Sequence, residues 1–283
     1  MRGWSLGNGR LEPCFEKDFD ASGSVIICPG GAYRFLSPRE AGPVARRFAQ
    51  SGWRPYILRY PVGENLGTAP LEEAAAALRL VRERDAGAGV KKPVVVCGFS
   101  AGGHLAASLG VHWNNAAVFP DAASRALQRP DALVLAYPVI SAGHFAHRES
   151  IDRLTGTFPA AGNAAAGTGA AAGKASGMAA AGAGNAPLVA GDFFSLEKHA
   201  GADTPPAFIW HTATDESVPV QNSLLFAEAL VRAGTPVELH VFPRGAHGLS
   251  LATPDVDEPE AGRLSDAHVA RWFDLCVEWL NSL

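Results

Sequence analysis

The amino-acid sequence predicts an α/β fold with a doubly wound, mostly parallel sheet flanked by helices. Short apolar segments with strand character alternate with longer segments of helical periodicity, which is typical of parallel sheets with helical connections. The chain has 283 residues, 47% of them hydrophobic, so it is long and apolar enough to bury one large core. We therefore expect a single domain over residues 1–283.

Six segments are predicted as strands because each is short, apolar and bounded by glycine, proline or polar residues. They alternate with the helical segments along most of the chain. In chain order they are Ser24–Cys28, Arg54–Tyr60, Pro93–Cys97, Asp131–Tyr137, Pro206–His211 and Val237–Phe242.

Three longer segments are predicted as helices. The first, Pro38–Gln50, follows Ser37 as its N-cap and starts with proline, and Pro43 is expected to split or kink it. The second, Leu71–Arg84, places alanines and leucines on one face. The last is expected to be capped by Ser265, since the apolar residues after it recur at three- and four-residue steps.

One segment departs from this alternation. Of residues 160–186, 21 are Ala or Gly, and Met178 is the one large apolar side chain among them. Such a composition buries too little surface to offset the chain entropy lost on folding. We therefore expect residues 160–190 to form a mobile, low-complexity insertion within the domain, either an expanded surface loop or a lid.

Charge and apolar patterning exclude several classes of function. The formal net charge is −4 and no dense basic patch is present, so neither nucleic acid nor an anionic membrane is an expected partner. Residues 1–20 lack the apolar stretch of a secretory signal. No segment approaches the ~20 apolar residues of a membrane helix.

The cysteines indicate a reducing compartment. The chain contains Cys14, Cys28, Cys97 and Cys276, and none of them forms a Cys-x-x-Cys pair. We expect buried free thiols in a cytoplasmic protein. A cysteine nucleophile is the alternative interpretation.

The most informative motif is Gly98-Phe99-Ser100-Ala101-Gly102, which joins an apolar strand to a segment that can turn at once into a helix. This arrangement is that of a nucleophile elbow, in which a strained backbone exposes a serine hydroxyl above the sheet. The glycines let strand and helix approach closely. Because Gly and Ala are frequent in this chain, an ordinary glycine-rich turn is the alternative, and a reactive serine also needs a base, an acid and an oxyanion hole.

Two residues after later strands are suited to activate Ser100. His247 follows the strand ending at Phe242, in a loop where flanking glycines leave space around the imidazole ring. Asp215 lies between serine and histidine in the chain, at the end of another strand, and can accept a hydrogen bond from Nδ1 of His247. Glu216 is the nearest alternative acid, and His211 is expected to pack at its strand end.

Backbone N–H groups are expected to form the oxyanion hole. One candidate is Ala101, directly after the nucleophile, and the others are Gly30 and Gly31, which follow the first predicted strand. Paired glycines allow the backbone to approach a substrate carbonyl closely. A plain Gly-Gly turn is the alternative.

Five segments together resemble α/β-hydrolase esterases of the acetyl-esterase/lipase type, and among them the acetylxylan esterase or BD-FAE-like subgroup. The resemblance covers about residues 22–250 apart from the Ala/Gly-rich insertion. Its segments are Cys28–Tyr33, Ser37–Ala41, Leu58–Tyr60, Gly98–His104 and Thr204–Val220. Pro29 and Ala32 stand where enzymes similar to hormone-sensitive lipase have the first and last residues of His-Gly-Gly-Gly, which argues against that type of lipase.

The resemblance implies an α/β-hydrolase fold and a serine carboxylesterase that hydrolyses short-chain acyl esters, with O-acetyl groups on carbohydrate as the favoured substrates. It implies no metal and no organic cofactor. The alternatives are an amide, formamide or peptide hydrolase with the same residues, and a non-catalytic binding protein of the same fold. The residues implied are Ser100, Asp215 and His247 as the triad, and Gly30, Gly31 and Ala101 as the hole.

Other polar residues have less specific interpretations. Tyr33 and Arg34 are candidates for substrate binding at the rim of the pocket, with an exposed loop as the alternative. His104, one turn into the elbow helix, is expected to make a structural hydrogen bond. His144 and His147 would need a third ligand to hold a metal, and none is identified, so we expect no metal site.

Overall fold

An eight-stranded sheet forms the centre of the structure, with the strand order β1-β2-β4-β3-β5-β6-β7-β8. The structure is a computed structural model and describes residues 3–15, 20–87, 92–157 and 190–283. Strands β3 to β8 pair in parallel, whereas β2 pairs antiparallel with both β1 and β4. The predicted doubly wound, mostly parallel sheet flanked by helices is confirmed.

The strands are β1 (Trp4–Leu6), β2 (Gly9–Pro13), β3 (Ser24–Cys28), β4 (Arg54–Arg59), β5 (Val94–Phe99), β6 (Ala132–Ala136), β7 (Ala207–Thr212) and β8 (Val237–Phe242). Within the described ranges, the α-helices are α1 (Gly42–Gln50), α2 (Ala69–Gly87), α3 (Ala101–His112), α4 (Ala122–Leu127), α5 (Arg148–Thr155), α6 (Ala190–Phe193), α7 (Gln221–Arg232) and α8 (Trp272–Leu280).

Two apolar clusters cover the two faces of the sheet. Helices α2, α3 and α7 pack against one face, and α1 and α8 pack against the other. Strand β5 contributes to both, since Val94 and Val96 face the first cluster while Val95 and Cys97 face the second. A strand buried on both faces is apolar at consecutive positions, which explains the uninterrupted valines.

The predicted break in the first helical segment is observed, and the start of the last helix differs from the prediction. The segment Pro38–Gln50 is a 3-10 turn over Pro38–Glu40 followed by α1, and the break falls at Ala41. Proline is accommodated near the start of α1, where a missing N–H costs nothing. The last helix does not start after Ser265: α8 begins at Trp272, behind a 3-10 turn over Val269–Arg271, and Oδ1 of Asp266 accepts the N–H groups of His268 and Val269 at the start of that turn.

The hairpin β1–β2 was not predicted. Its strands are short, contain glycine, arginine and glutamate, and lie at the edge of the sheet, so they lack the apolar pattern of the buried strands. The predicted insertion at 160–190 lies outside the described residues up to the start of α6. Among the helices of the described part, none is long and apolar enough to cross a membrane.

Candidate active site

The turn between β5 and α3 has the geometry of a nucleophile elbow. Ser100 has φ 53° and ψ −118°, a conformation that non-glycine residues rarely adopt. A Cβ at Gly98 would lie 2.1 Å from the carbonyl oxygen of Gly102, and a Cβ at Gly102 would lie 2.0 Å from that of Cys28. The glycines are therefore required by close packing, as expected from the motif.

Three of the predicted site residues lie in a hydrogen-bonded row. Oγ of Ser100 lies 2.8 Å from Nε2 of His247, and Nδ1 of His247 lies 2.6 Å from Oδ2 of Asp215. The side chain of Asp215 is fully buried, whereas that of His247 is 14% exposed. The row thus runs from a buried carboxyl group to a hydroxyl group at the surface of a cavity.

Backbone and side-chain donors surround the carboxyl group of Asp215. Its Oδ1 accepts the N–H groups of Ser217 and Val218, each at 2.9 Å. Burial opposes ionisation, but hydrogen bonds to His211 and His247 outweigh it and hold the pKa of Asp215 well below its ordinary value. Asp215 is therefore a carboxylate at neutral pH.

His211 contributes more than packing at its strand end. It is fully buried in β7, with Nδ1 2.7 Å from Oγ of Ser223 and Nε2 2.9 Å from the carbonyl oxygen of Val218. The same Nε2 lies 3.3 Å from Oδ2 of Asp215. Glu216, the alternative acid, is exposed.

Gly30 has a different contact from the one predicted. Its N–H donates to Oε2 of the buried Glu40 at 2.8 Å, so the donor is taken up within the protein. A Cβ at Gly30 would lie 2.9 Å from Cβ of Ser100 and 2.8 Å from the carbonyl oxygen of Phe99. The expectation that Gly30 supplies a hole donor is corrected: this glycine lets the loop pack against the elbow.

Three other N–H groups are available beside the serine. Within the described residues, no acceptor is found for the N–H groups of Gly31, Ala32 and Ala101. The carbonyl oxygen of Gly30 accepts from Ser37 N, which turns the N–H of Gly31 the opposite way because the two groups of a trans peptide are antiparallel. The N–H groups of Gly31 and Ala101 therefore remain candidate oxyanion donors. The N–H group of Ala32 is a further candidate that the sequence did not indicate.

Ser100 and His247 open into a cavity of about 260 Å³. Its walls come from the loop after β3, the start of α5 and the loops after β7 and β8, and their surface is polar and apolar in about equal parts. Arg34 and Phe35 lie at its rim. Other side chains also line it, although no sequence motif indicated them: Arg39, His147, Glu149, Ser217, Glu258 and Arg263.

Tyr33 does not bind substrate at the rim, because its side chain points into the core. The residue is 1% exposed, and its hydroxyl group lies 2.9 Å from Nδ1 of His104. Nε2 of His104 lies 3.1 Å from the carbonyl oxygen of Phe194. The structural role expected for His104 is therefore observed, and Tyr33 belongs to the same buried network.

Two arginines hold the loop that carries His247. Nε of Arg263 donates to the carbonyl oxygen of His247 at 2.9 Å, and Nη1 of Arg39 donates to that of Gly248 at 2.8 Å. Both guanidinium groups also pair with Glu258. The contact from Arg39 to the loop spans 209 residues and that from Arg263 spans 16, so no local motif indicated either one.

His147 lies in the wall of the cavity. Its Nδ1 is 2.9 Å from Oγ of Ser150. Burial lowers the pKa of His147, and the neighbouring His247 lowers it further, so the ring is neutral at pH 7. Among the described residues, no group of three potential metal ligands occurs.

The cysteines do not reach the cavity. Cys28, Cys97 and Cys276 are buried free thiols, and burial raises the pKa of each one, whereas Cys14 is a free thiol that is only partly buried. A buried, protonated thiol is a poor nucleophile.

Comparison with known proteins identifies the family of this chain. A model of the alpha/beta hydrolase fold matches residues 26–251. The chain is 32% identical over 236 residues to endo-1,4-beta-xylanase B of Butyrivibrio fibrisolvens, covering 82% of this chain and 33% of that protein. It is 24% identical over 244 residues to an acetylxylan esterase of Xylanibacter ruminicola, covering 85% of this chain and 44% of that protein.

A solved structure is similar over nearly the whole chain. The acetyl ester-xyloside bifunctional hydrolase of Caldicellulosiruptor lactoaceticus is 34% identical, with a TM-score of 0.74 and coverage of 97% of this chain and 88% of that one. The chain spans less than half the length of the two curated relatives. The match to the family model over most of the sequence, together with the sheet order and the elbow, shows that the chain belongs to the alpha/beta hydrolase fold family.

Proposed function

We propose that the protein is a serine carboxylesterase that removes short acyl groups, acetyl groups on carbohydrate in particular. The observation that carries the proposal is the row from Ser100 through His247 to Asp215, with 2.8 and 2.6 Å between the facing atoms. A serine hydroxyl is a weak nucleophile until a base takes its proton. The row supplies that base and an acid that orients it.

In the first step, Oγ of Ser100 attacks the acyl carbon and its proton passes to Nε2 of His247. The carboxylate of Asp215 accepts the hydrogen bond from Nδ1–H and stabilises the imidazolium that forms. The tetrahedral intermediate then collapses as Nε2 returns the proton to the alcohol oxygen. The alcohol leaves, and the acyl group remains on Ser100 as an ester.

Water completes the cycle. His247 takes a proton from water as its oxygen attacks the acyl carbon, and the second tetrahedral intermediate expels Oγ of Ser100, which recovers the proton. The carboxylic acid leaves and the enzyme returns to its starting state. No metal or organic cofactor enters any of these steps.

Backbone N–H groups of Gly31, Ala32 and Ala101 would stabilise the negative oxygen of both intermediates. Ala101 N–H also lies at the N-terminus of α3, where the helix dipole favours negative charge. Donors fixed in advance act most strongly at the charge that develops in the transition state. The oxyanion hole proposed here therefore contains Ala32 in place of Gly30.

The cavity supports a small acyl group on a polar alcohol. Its volume of about 260 Å³ is less than that of typical pockets for larger ligands. Arginine, glutamate and histidine side chains line it, and these suit hydroxyl groups better than a long aliphatic chain. Similarity to an acetylxylan esterase and to an acetyl ester-xyloside bifunctional hydrolase favours an acetylated sugar.

An amide, formamide or peptide hydrolase would use the same residues, and a binding protein would need none of them. To test the proposal, p-nitrophenyl acetate turnover is compared between the wild type and Ser100→Ala, followed by acetylated xylo-oligosaccharides and matching amides. We expect the alanine variant to lose at least about 1,000-fold in kcat and the sugar acetates to be preferred over amides. Equal rates for the two proteins would refute the mechanism.

A cytoplasmic location is also a proposal. Its support is the presence of free, buried thiols at Cys28, Cys97 and Cys276, which suit a reducing compartment. Cell fractionation with an antibody against the protein tests it. Recovery with the secreted fraction would contradict it.

A further inference from the structure

We propose that Glu40 is a positioning residue that holds the oxyanion loop, residues 29–32, in register with the loop that carries His247. The inference rests on the proposed esterase mechanism. Glu40 ends the 3-10 turn before α1 and is only 4% exposed. Both of its carboxyl oxygens accept hydrogen bonds, and the two donors come from different segments of the chain.

The first contact fixes the oxyanion loop. Oε2 of Glu40 accepts the N–H of Gly30 at 2.8 Å, and the hydroxyl group of Tyr60 donates to the carbonyl oxygen of Pro29. Because N–H and C=O of a trans peptide point in opposite directions, the Pro29–Gly30 peptide is held from both sides. This peptide directly precedes Gly31, whose N–H is a proposed oxyanion donor.

The second contact reaches the histidine loop. Oε1 of Glu40 accepts from the hydroxyl group of Tyr137 at 2.7 Å, and the same hydroxyl oxygen accepts the N–H of Ser250 at 2.9 Å. The ring of Tyr137 packs edge-on against that of His247, with centroids 5.1 Å apart. Ser250 lies three residues after His247, so this tyrosine supports the base by two routes.

One carboxyl group therefore connects the proposed oxyanion hole to the proposed base. Glu40 also lies close to the nucleophile, since a Cβ at Gly30 would come within 2.8 Å of its Oε2 and 2.9 Å of Cβ of Ser100. Donors and base must both be placed to within about 0.5 Å of their productive positions for efficient catalysis. A change at Glu40 would displace the two together.

A purely structural role makes a different prediction. A buried carboxyl group that accepts two hydrogen bonds can stabilise the fold without affecting the chemistry. Its loss would then lower the melting temperature and leave kcat of the folded enzyme unchanged. The two roles can therefore be separated by measuring kcat per folded molecule.

The test is Glu40→Gln, which preserves size but turns one acceptor into a donor, so Gly30 N–H and the Tyr137 hydroxyl can no longer both donate to it. We expect kcat for an acetate ester to fall about 10- to 100-fold with KM within about threefold, because the oxyanion hole acts in the transition state. Binding of trifluoroacetone, whose serine adduct places an oxyanion in the same hole, is expected to weaken by a factor similar to the loss in kcat/KM.

The matched control is Asp85→Asn, at another buried carboxyl group that accepts from Ser24 and Arg54 and is absent from the cavity lining. It is expected to lower the melting temperature and keep kcat within about twofold, since it removes only structural contacts. The inference is overturned if Glu40→Gln keeps kcat within twofold, or if Asp85→Asn loses as much. If Ser100→Ala keeps wild-type activity, both the proposed function and this inference are refuted. If Ser100→Ala is inactive but Glu40→Gln keeps wild-type kcat, only the inference is refuted.

Discussion

The carboxylate of Asp215 contacts the imidazole of His247 through Oδ2 and Nδ1, 2.6 Å apart, while its Oδ1 accepts two backbone N–H groups. The backbone contacts leave Oδ2 in a fixed position. Asp215 can therefore set both the tautomer and the orientation of the ring that faces Ser100. The assignment of Asp215 as the acid of the proposed triad can therefore be tested directly by substitution.

Replacing Asp215 by Asn is expected to lower kcat by about 1,000- to 10,000-fold, because an amide can favour the wrong tautomer of His247. The measurement is steady-state hydrolysis of p-nitrophenyl acetate. Glu216→Gln is the matched control and should stay within about twofold of the wild type, since this neighbouring carboxylate is exposed. Retention of activity in the Asp215 variant would show that the acid is misassigned.

The lowered pKa of Asp215 predicts how stability depends on pH. A carboxyl group whose pKa is lower in the folded than in the unfolded chain stabilises the fold fully above the ordinary carboxyl pKa of about 4. That contribution is lost as the pH falls below this value. We expect the difference in unfolding free energy between wild type and Asp215→Asn to shrink from pH 6 to pH 3 in urea titrations. A difference that grows towards acid would contradict the ionised, hydrogen-bonded state.

The buried position of Tyr33 predicts a loss of stability without a loss of binding. Tyr33→Phe removes the hydroxyl group that contacts Nδ1 of His104 and costs about 1–2 kcal/mol, which corresponds to a melting temperature about 2–8 °C lower. KM and kcat are expected to stay within about twofold, since the side chain does not line the cavity. A large rise in KM at unchanged stability would restore Tyr33 as a substrate-binding residue.

Phe35 is predicted to affect the alcohol part of the substrate. It lies at the rim of the cavity and is 47% exposed, and the guanidinium group of Arg34 lies over its ring at 5.5 Å. Aromatic rings at such positions can pack against the apolar face of a sugar. Phe35→Ala should raise KM for acetylated xylo-oligosaccharides about three- to tenfold, in line with the loss of one partly buried aromatic contact.

Ethyl acetate distinguishes this effect from general damage, because its alcohol is too small to reach the rim. For this substrate, Phe35→Ala should keep kcat/KM within about twofold of the wild type. Leu224→Ala, at an exposed apolar residue of α7, is the matched surface control. Equal losses on both substrates would argue against a sugar contact at Phe35.

The elbow and the strand ends could be predicted because the residue patterns that indicate them lie within short segments of the sequence. Ser100, Asp215 and His247 each follow a strand of the sheet, and parallel strands bring their carboxyl ends to one edge. The donor role given to Gly30 was wrong for a physical reason. Its N–H direction depends on Glu40, and a motif of consecutive residues does not specify which side chain accepts a given N–H.

The rest of the cavity depends on contacts between distant segments. Glu40 and Tyr137 are 97 residues apart, and Arg39 contacts the backbone at Gly248 across 209 residues. Such pairs follow from how the loops fold over the sheet edge, which single-sequence periodicity does not report. The edge hairpin was missed because its strands bury few residues and carry no apolar pattern.

The central claim, an acyl-enzyme at Ser100, is tested most directly by trapping the intermediate. The protein is mixed rapidly with p-nitrophenyl acetate, quenched in acid, digested and examined by mass spectrometry. We expect one acetyl group on the peptide that contains Ser100, formed together with a burst of p-nitrophenol, and neither of these in Ser100→Ala. Acetylation of another residue instead, or turnover by Ser100→Ala at the wild-type rate, would contradict it.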